Sequence, residues 1–199
     1  MIPRHLVIGI VILLVVALGM SAYVWRVRGH VDRVPTPGAN AQPVAPPVSG
    51  ASEQITIYVA YDDVGVVRPK LVRITLPVGR QERAAEILRS LVNLYEDKVS
   101  PHSLAAGSGI RDVYLVEPGL AIIDLNAILA DNHRSGVLVE ELTIVSLVQT
   151  LAANVPGITQ VKFLVEGRER DTLAGHADLS NFYDASSVTR AVAQLQNTQ

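Results

Sequence analysis

Beyond residue 52, hydrophobic and polar residues follow the two periods that define strands and helices. In "QITIYVAY" (residues 54–61) and "KLVRITLP" (residues 70–77), apolar and polar side chains alternate, which predicts two β-strands. The residues Asp62, Asp63 and Gly65 between these runs are typical of a turn. The stretch "RQERAAEILRSLVNLY" (residues 80–95) places apolar residues three and four positions apart, which predicts an amphipathic helix.

The second half of this region also shows strand-like and helix-like spacing of its apolar residues. Residues 113–116 and 120–125 predict a hairpin around Pro118 and Gly119, and "QVKFLVEG" (residues 160–167) predicts a strand that ends at Gly167. Between them, "LVEELTIVSLVQTLAANV" (residues 138–155) predicts a helix with so broad an apolar face that we expect it to be deeply buried on a sheet. Its apolar face comprises Leu138, Leu142, Val145, Val148 and Ala152, widened by Ile144, Leu147 and Leu151.

This order of elements, with no internal repeat, predicts the α+β class. We expect one small domain over residues 53–183, with a single mixed sheet and two helices packed on it. Residues 184–199 turn polar and are typical of either a weak helix or a frayed tail.

The N-terminus has a different character. Twenty consecutive residues without charge, Leu6 to Trp25, would span roughly 30 Å as a helix, which is the thickness of a hydrocarbon core. We therefore expect one transmembrane helix over residues 6–26, with a cleaved signal peptide as the competing interpretation. Residues 27–52 contain five prolines among Gly, Ala and Ser, and predict a disordered, extended linker.

The arginines around the expected transmembrane helix favour a cytoplasmic C-terminal domain. Arg4 precedes the apolar segment, whereas Arg26, Arg28 and Arg33 follow it. Positive residues are enriched on the cytoplasmic side, so this count favours the C-terminal part inside the cell. With the N-terminal amine counted as a positive charge, two charges precede the apolar segment and three follow it. So small a difference does not by itself fix the orientation.

Composition removes several classes of function. The chain has 199 residues, a net charge of −2 and no cysteine, so disulfides, thiolate metal sites and a lipid-attached cysteine are excluded. No concentrated basic region follows residue 33, which argues against nucleic acid as a partner. The five histidines form no pair at metal-ligand spacing, and no phosphate-binding glycine motif is present. We therefore expect no metal, no cofactor and no small-molecule substrate.

One run of residues resembles a known family. The segments "RAAEILRSLV", "GLAIIDLN", "EELTIVSLVQTLAANVPGITQVKFLVEG" and "LAGHADLS", spread over residues 83–180, resemble the GerMN (Germane) domain of sporulation and spore-germination proteins. The helix around residues 146–151, the Pro-Gly stop, the strand that ends at Gly167 and the following Gly-His carry this resemblance. It implies a small domain of α and β elements without established catalysis, usually exported and held at a bacterial membrane.

The resemblance implies a non-catalytic binding or assembly module of the cell envelope, connected with sporulation or germination. Its partners would be the membrane, through residues 6–26, and envelope proteins or further copies of the chain. We expect a single-pass protein of the bacterial inner membrane with its C-terminal domain outside the cytoplasm, against the arginine count. A cytoplasmic-facing membrane scaffold is the interpretation that the arginines favour.

The residues Asp124, His176 and Asp178 define the alternative, an envelope hydrolase that uses them as acid/base groups on peptidoglycan. If "HADL" is extended, His176 and Asp178 lie on one face. Their neighbours supply neither a nucleophile nor an oxyanion donor, however, so we expect them to be structural or contact residues, together with Gly167 and Gly175. We expect Gly175 to permit a sharp turn, the His176 ring to bond nearby backbone and Asp178 to cap the next turn.

Overall fold

The structure of the protein is a computed structural model that describes residues 50–197. Its β-strands form mixed sheets with helices packed on them, which confirms the α+β class. The transmembrane helix expected over residues 6–26 and nearly all of the linker expected over residues 27–52 lie outside the described residues. Residues 47–199 form one compact unit by themselves.

The first two strands form a long hairpin. β1 (Ala51–Tyr61) and β2 (Val66–Leu76) pair antiparallel without interruption, from Ala51 opposite Leu76 to Tyr61 opposite Val66. The turn that joins them includes Gly65, whose φ of +66° lies in the left-handed region that glycine adopts without strain. β2 begins at Val66, four residues before the start at residue 70 that we expected from the sequence.

The other strands form a second, four-stranded sheet. Its strands, in spatial order, are β3 (Ile110–Val116), β4 (Leu120–Leu125), β5 (Gln160–Val165) and β6 (Tyr183–Asp184). β3 and β4 are antiparallel neighbours, as expected of a hairpin, whereas β4 and β5 are parallel. A parallel pair requires a crossover connection, and the helices after β4 supply it.

Four helices complete the described part of the chain. They are α1 (Arg80–Tyr95), α2 (Ala127–Asp131), α3 (Val137–Asn154) and α4 (Ala185–Asn197). α2 begins where the Asn126 side chain accepts the N–H of Leu129 at 2.9 Å, an N-cap bond. The expectation of one sheet and two helices therefore differs from the structure, which has two sheets and four helices over residues 50–197.

The core lies between the sheets and the two long helices. α1 packs against β3 and α3, while α3 also packs along β1, and α4 contacts both β2 and α3. Successive strands of the second sheet contribute Val113, Ile123 and Phe163, each fully buried. Among the described residues, α3 is the one helix long and apolar enough to cross a membrane, and its burial within this core is that of a core helix.

α3 is buried on almost every side, and its buried positions are not all those that we expected from the sequence. Leu147 and Leu151 are fully buried, as their spacing predicts. Leu138, expected on the apolar face, is 52% exposed, because it lies about 200° around the helix from Glu140, on the other side of the first turn. Polar residues are buried instead, among them Glu140, Thr143, Ser146 and Thr150.

Polar side chains of the helices cover the outer edge of β1. The Thr150 hydroxyl accepts the N–H of Tyr58 at 2.8 Å, and the Asn154 side chain both accepts from and donates to the backbone of Thr56. Further along, the Tyr95 hydroxyl accepts the N–H of Ala60 at 2.8 Å. These bonds satisfy backbone groups that an edge strand otherwise leaves open to another chain.

Candidate functional site

A buried carboxylate holds the loop that contains the Gly-His pair. Glu140, in the first turn of α3, is fully buried, and its Oε1 lies 2.9 Å from Nδ1 of His176. Oε1 also accepts the N–H of Gly136 at 3.0 Å. Oε2 accepts three backbone N–H groups of the loop formed by residues 173–179, which we call the corner loop. These donors are Ala174 at 3.0 Å, His176 at 2.9 Å and Ala177 at 2.9 Å.

The Glu140 carboxylate is ionised in this environment. Burial alone would raise its pKa, but the His176 ring and the surrounding backbone N–H groups lower the pKa to about 2. A carboxylate that accepts several N–H bonds loses little by leaving water, because the donors replace its hydration. Glu140 therefore connects the start of α3 to a segment more than thirty residues further along the chain.

The corner loop turns at Gly175, as expected from the sequence. Gly175 has a φ of +119°, in the region that side-chain-bearing residues rarely adopt. The side chain of His176 is 41% exposed, and its Nδ1 also lies 3.4 Å from the Ser135 hydroxyl. The ring therefore bonds a carboxylate, whereas we had expected it to bond backbone groups. Because Nδ1 of His176 bonds the Glu140 carboxylate, this contact fixes the orientation of the ring.

Asp178 organises the turn that follows. It is exposed, and its Oδ1 accepts the N–H of Ser180 at 2.7 Å and the Ser180 hydroxyl at 2.6 Å. Oδ2 accepts the side-chain N–H of Asn181 at 2.6 Å. The Ser180 hydroxyl is the largest of the influences that lower the pKa of Asp178. All of these partners lie within three residues, so the contacts shape the local turn.

Asp124 and Gly167 meet at the end of β5. Asp124 is 3% exposed on β4, and its Oδ1 accepts the N–H of Gly167 at 2.8 Å. Gly167 has a φ of +71°, which allows the chain to turn there. Nε of Arg111, on β3, lies 3.4 Å from the other oxygen of Asp124. This carboxylate therefore links three neighbouring segments of the second sheet.

The three proposed acid/base residues contact different parts of the molecule. Asp124 bonds Gly167, His176 bonds Glu140, and Asp178 bonds its own turn. Within residues 50–197, no hydrogen bond joins any two of the three, and no hydroxyl donates to Nε2 of His176. General acid/base catalysis requires such groups to converge on one substrate atom.

A second polar cluster lies deeper, where α3 meets two loops. Nδ1 of His102 is 2.6 Å from Oδ1 of Asp62, and its Nε2 is 2.7 Å from the Thr143 hydroxyl. The same hydroxyl lies 2.7 Å from Nε2 of His133, whose Nδ1 donates to the carbonyl of Arg134 at 2.7 Å. We call these residues the histidine cluster. The succession of carboxylate, imidazole and hydroxyl in Asp62, His102 and Thr143 resembles a catalytic triad with a threonine nucleophile. His102 is fully buried, however, and Thr143 is 1% exposed, so no substrate reaches them.

The protons of the histidine cluster can be counted. Four contacts run from Asp62 to the Arg134 carbonyl, and each requires one proton, whereas two neutral rings and one hydroxyl supply three. Burial is the main influence that lowers the pKa of both His102 and His133, although the nearby Asp62 carboxylate opposes it at His102. At neutral pH the rings are therefore uncharged, and the Thr143 hydroxyl can donate to only one of them.

The residues that hold these two clusters were not identified from the sequence. Glu140, Thr143 and His102 have their partners 36, 41 and 40 residues away. The usable signal lay in α3, where Glu140 and Thr143 interrupt a helix that is apolar on nearly every side. A polar residue in a helix buried all round needs a partner.

The fold and these contacts define a small α+β domain in which polar side chains fasten loops to a central helix. Residues 56–171 match the Germane family, described as "Sporulation and spore germination". Because this match covers more than half of the 199 residues, the chain belongs to the Germane (GerMN) family. The resemblance inferred over residues 83–180 is confirmed, although the match begins earlier, within β1, and ends at residue 171, before the Gly-His pair. No curated protein sequence matches the chain.

Three solved structures that align with this chain come from two bacteria. The tandem GerMN domains of the sporulation protein GerM from Bacillus subtilis align with a TM-score of 0.53 at 16% identity, covering 69% of this chain and 48% of that chain. The first GerMN domain of GerM alone gives 0.41 at 18% identity, covering 64% and 92%. A predicted lipoprotein from Clostridium perfringens gives 0.47 at 15% identity, covering 74% and 96%. This chain therefore spans about half of the tandem structure, and at this identity the likeness concerns the fold alone.

Proposed function

We propose that this protein is a non-catalytic binding or assembly module of the bacterial cell envelope, held at the inner membrane by residues 6–26. The main support is that Asp124, His176 and Asp178 each bond a different structural segment. Membership of a family described by sporulation and spore germination supports an envelope role of that type. In this proposal the folded domain lies outside the cytoplasm and the Pro-rich linker separates it from the bilayer.

A digestion assay tests the absence of catalysis. The full chain, purified in a neutral detergent, is incubated with purified peptidoglycan, and soluble fragments are measured by chromatography with mass detection. A known muramidase provides the positive control and the heat-denatured chain the blank. We expect no fragments above the blank. Release of fragments that is lost in Asp124→Asn or His176→Ala, while the variants keep their fold, would establish the hydrolase instead.

A topology assay tests the location of the domain. Two reporters, one active only in the cytoplasm and one active only after export, are fused separately after Gln199. We expect the exported reporter to be active and the cytoplasmic reporter to be silent. The reverse result would follow the arginine count and support the cytoplasmic-facing scaffold. As a matched control, removal of residues 6–26 should abolish the exported activity.

A further inference from the structure

The two long strands differ in the state of their outer edges. The N–H groups of Thr56, Tyr58 and Ala60 bond helix side chains, so they point away from β2. The residues opposite them in an antiparallel pair therefore also direct their backbone groups outward, away from β1. The register continues without a bulge. The outward positions of β2 are Val67, Pro69, Leu71, Arg73 and Thr75.

Only one end of this β2 edge is covered. The Val67 carbonyl accepts the side-chain N–H of Gln196 at 2.9 Å, and Pro69 has no N–H to donate. From Leu71 to Thr75, no group within residues 50–197 bonds the outward N–H and carbonyl groups. We call residues 71–75 the open edge. Its amides are spaced for an added strand of about five residues.

Arg73 is the one charged residue of the open edge, and Lys70 precedes that edge directly. β2 carries three basic residues and no acidic residue, and Lys70 and Arg73 flank Leu71 on alternate faces of the strand. Leu71 is 65% exposed. Lys70 also lines a mainly apolar groove of about 200 Å³, whose other walls include Val59, Tyr61 and Leu94 together with one acidic residue, Asp97. An added strand would direct every second side chain to the Lys70 face, beside this apolar groove.

We propose that the open edge binds an extended acidic segment of a partner protein, which adds a strand to β2. The backbone groups of the segment would pair with Leu71, Arg73 and Thr75, as in other cases of strand addition. Its acidic side chains would meet Arg73 on the face that also carries Leu71, and the alternate apolar side chains would lie in the groove on the Lys70 face. This inference rests on the proposed binding function and specifies the chemistry of the partner.

Two other occupants fit the charge or the geometry less well. A second copy paired antiparallel about the centre of the open edge would place Arg73 opposite the same residue of its partner, and like charges across a strand pair are destabilising. An anionic lipid surface would satisfy the charges, but its headgroups do not present alternating donors and acceptors in register with a strand. The acidic peptide satisfies both the backbone and the side chains.

The test uses the full chain in a neutral detergent and a fluorescent, blocked heptapeptide in which Glu and Val alternate. The counterpart with Lys and Val is the control probe. We expect fluorescence anisotropy to report binding of the acidic peptide only, and hydrogen exchange to slow at the amides of Leu71, Arg73 and Thr75. Added salt should weaken this binding, because the charges are exposed.

Matched variants separate the backbone contribution from the side chains. Leu71→Pro removes one outward N–H without touching a bond to β1, so it should weaken peptide binding about fivefold. Leu71→Ala keeps that N–H and should bind more tightly than the proline variant. Arg73→Glu should abolish the preference for the acidic peptide, whereas Arg168→Glu, an exposed change of equal charge in the turn after β5, should not. Melting curves of each variant establish that the fold is retained.

Several results would overturn the proposal. One is the absence of acidic-peptide binding, and another is binding that Leu71→Pro leaves equal to Leu71→Ala. Slowed exchange at these amides in a dimer without peptide would assign the edge to a second copy. Binding to phosphatidylglycerol vesicles that Arg73→Glu abolishes and Leu71→Pro does not change, without peptide binding, would assign it to lipid. None of these results touches the proposed function, which fails separately if the chain digests peptidoglycan.

Discussion

Oε1 of Glu140 lies 2.9 Å from Nδ1 of His176, so a fully buried carboxylate meets a ring whose side chain is 41% exposed. Removal of either side chain would leave a different set of groups without a hydrogen-bond partner. Without the Glu140 carboxylate, buried backbone N–H groups lose their acceptor. Without the His176 ring, the carboxylate keeps its backbone donors. We therefore expect the two positions to contribute unequally to stability.

Replacement of Glu140 by Gln should destabilise the domain strongly. The amide group of Gln offers one acceptor oxygen where the carboxylate offers two, so an N–H of the corner loop or of Gly136 faces another donor. We expect a loss of about 2–3 kcal/mol in the free energy of unfolding, measured by urea denaturation of residues 52–199. Glu141→Gln, an exposed neighbour with the same change of charge, is the control and should change little. Equal effects at both positions would contradict the structural role of Glu140.

Protonation of the Glu140 carboxylate should lower the free energy of unfolding in acid. The pKa of Glu140 is about 2 in the folded state, below the usual 4.5, so the folded state binds its proton less tightly than the unfolded state. Its stabilising contribution is present above pH 4.5 and is lost as the pH falls toward 2. Urea denaturation at a series of pH values measures this loss, which should be smaller in Glu140→Gln.

The buried histidines act in a higher pH window. Because burial lowers the pKa of His102 and His133, the folded state disfavours their protonation, and stability should begin to fall as the pH drops below about 6.5. Stability that stays constant from pH 7.5 to 5 would mean that these rings take up the fourth proton of the histidine cluster without cost.

Thr143→Val should destabilise the domain while leaving its shape nearly unchanged. The valine has the size of threonine but no hydroxyl, so Nε2 of His102 and Nε2 of His133 both lose their partner. We expect a loss of about 2–4 kcal/mol, because buried polar atoms without a hydrogen bond are costly. Thr75→Val, at an exposed position of β2, is the control for the same chemical change. A Thr143→Val variant as stable as the control would show that water replaces the hydroxyl.

His176→Ala should lower the melting temperature of residues 52–199 by a few degrees, as expected for a loss of roughly 1 kcal/mol. The loss is smaller than at Glu140 because the backbone bonds of the corner loop remain. His176→Asn retains a side-chain N–H donor and should recover part of the stability. If His176→Ala kept full stability and instead abolished a measurable turnover, the hydrolase would replace the binding module.

Core packing predicts a contrast between two leucines of α3. Residues 52–199 should unfold cooperatively without the preceding segment, since residues 47–199 form a compact unit. In that fragment, Leu147→Ala should cost about 2–5 kcal/mol, because the side chain is fully buried. Leu138→Ala, at a side chain 52% exposed, should cost much less. Calorimetric melting measures both, and a fragment without a cooperative transition would mean that another segment completes the core.

The local periodicity of the sequence determined most of the elements. The helix expected over residues 80–95 has those bounds, and the strand expected over 120–125 is β4. Each depends on side chains a few residues apart, which is the range that a periodic pattern reports. α2 and β6 were missed because they contain five and two residues, too few for a period to emerge.

The roles of the polar residues depended on partners distant in sequence. The pattern placed Leu138 on the buried face of α3, whereas the structure exposes it and buries Glu140 and Thr143. The sequence showed Gly175 and His176 as a turn, but not that a carboxylate 36 residues earlier bonds the ring. A helix pattern records how apolar each position is and carries no information about which loops reach it.

The two edges of the hairpin show the same division. β1 and β2 both alternate apolar and polar residues, so the sequence by itself determined two strands and the chain positions of their charges. Only the tertiary structure decided that α3 lies beside β1, where Thr150 and Asn154 bond its backbone. On the other side of the hairpin, the outward backbone groups of residues 71–75 bond no group within residues 50–197. Backbone N–H and carbonyl groups are identical in every strand, so whether they are satisfied depends on what packs beside them and not on the residues that carry them.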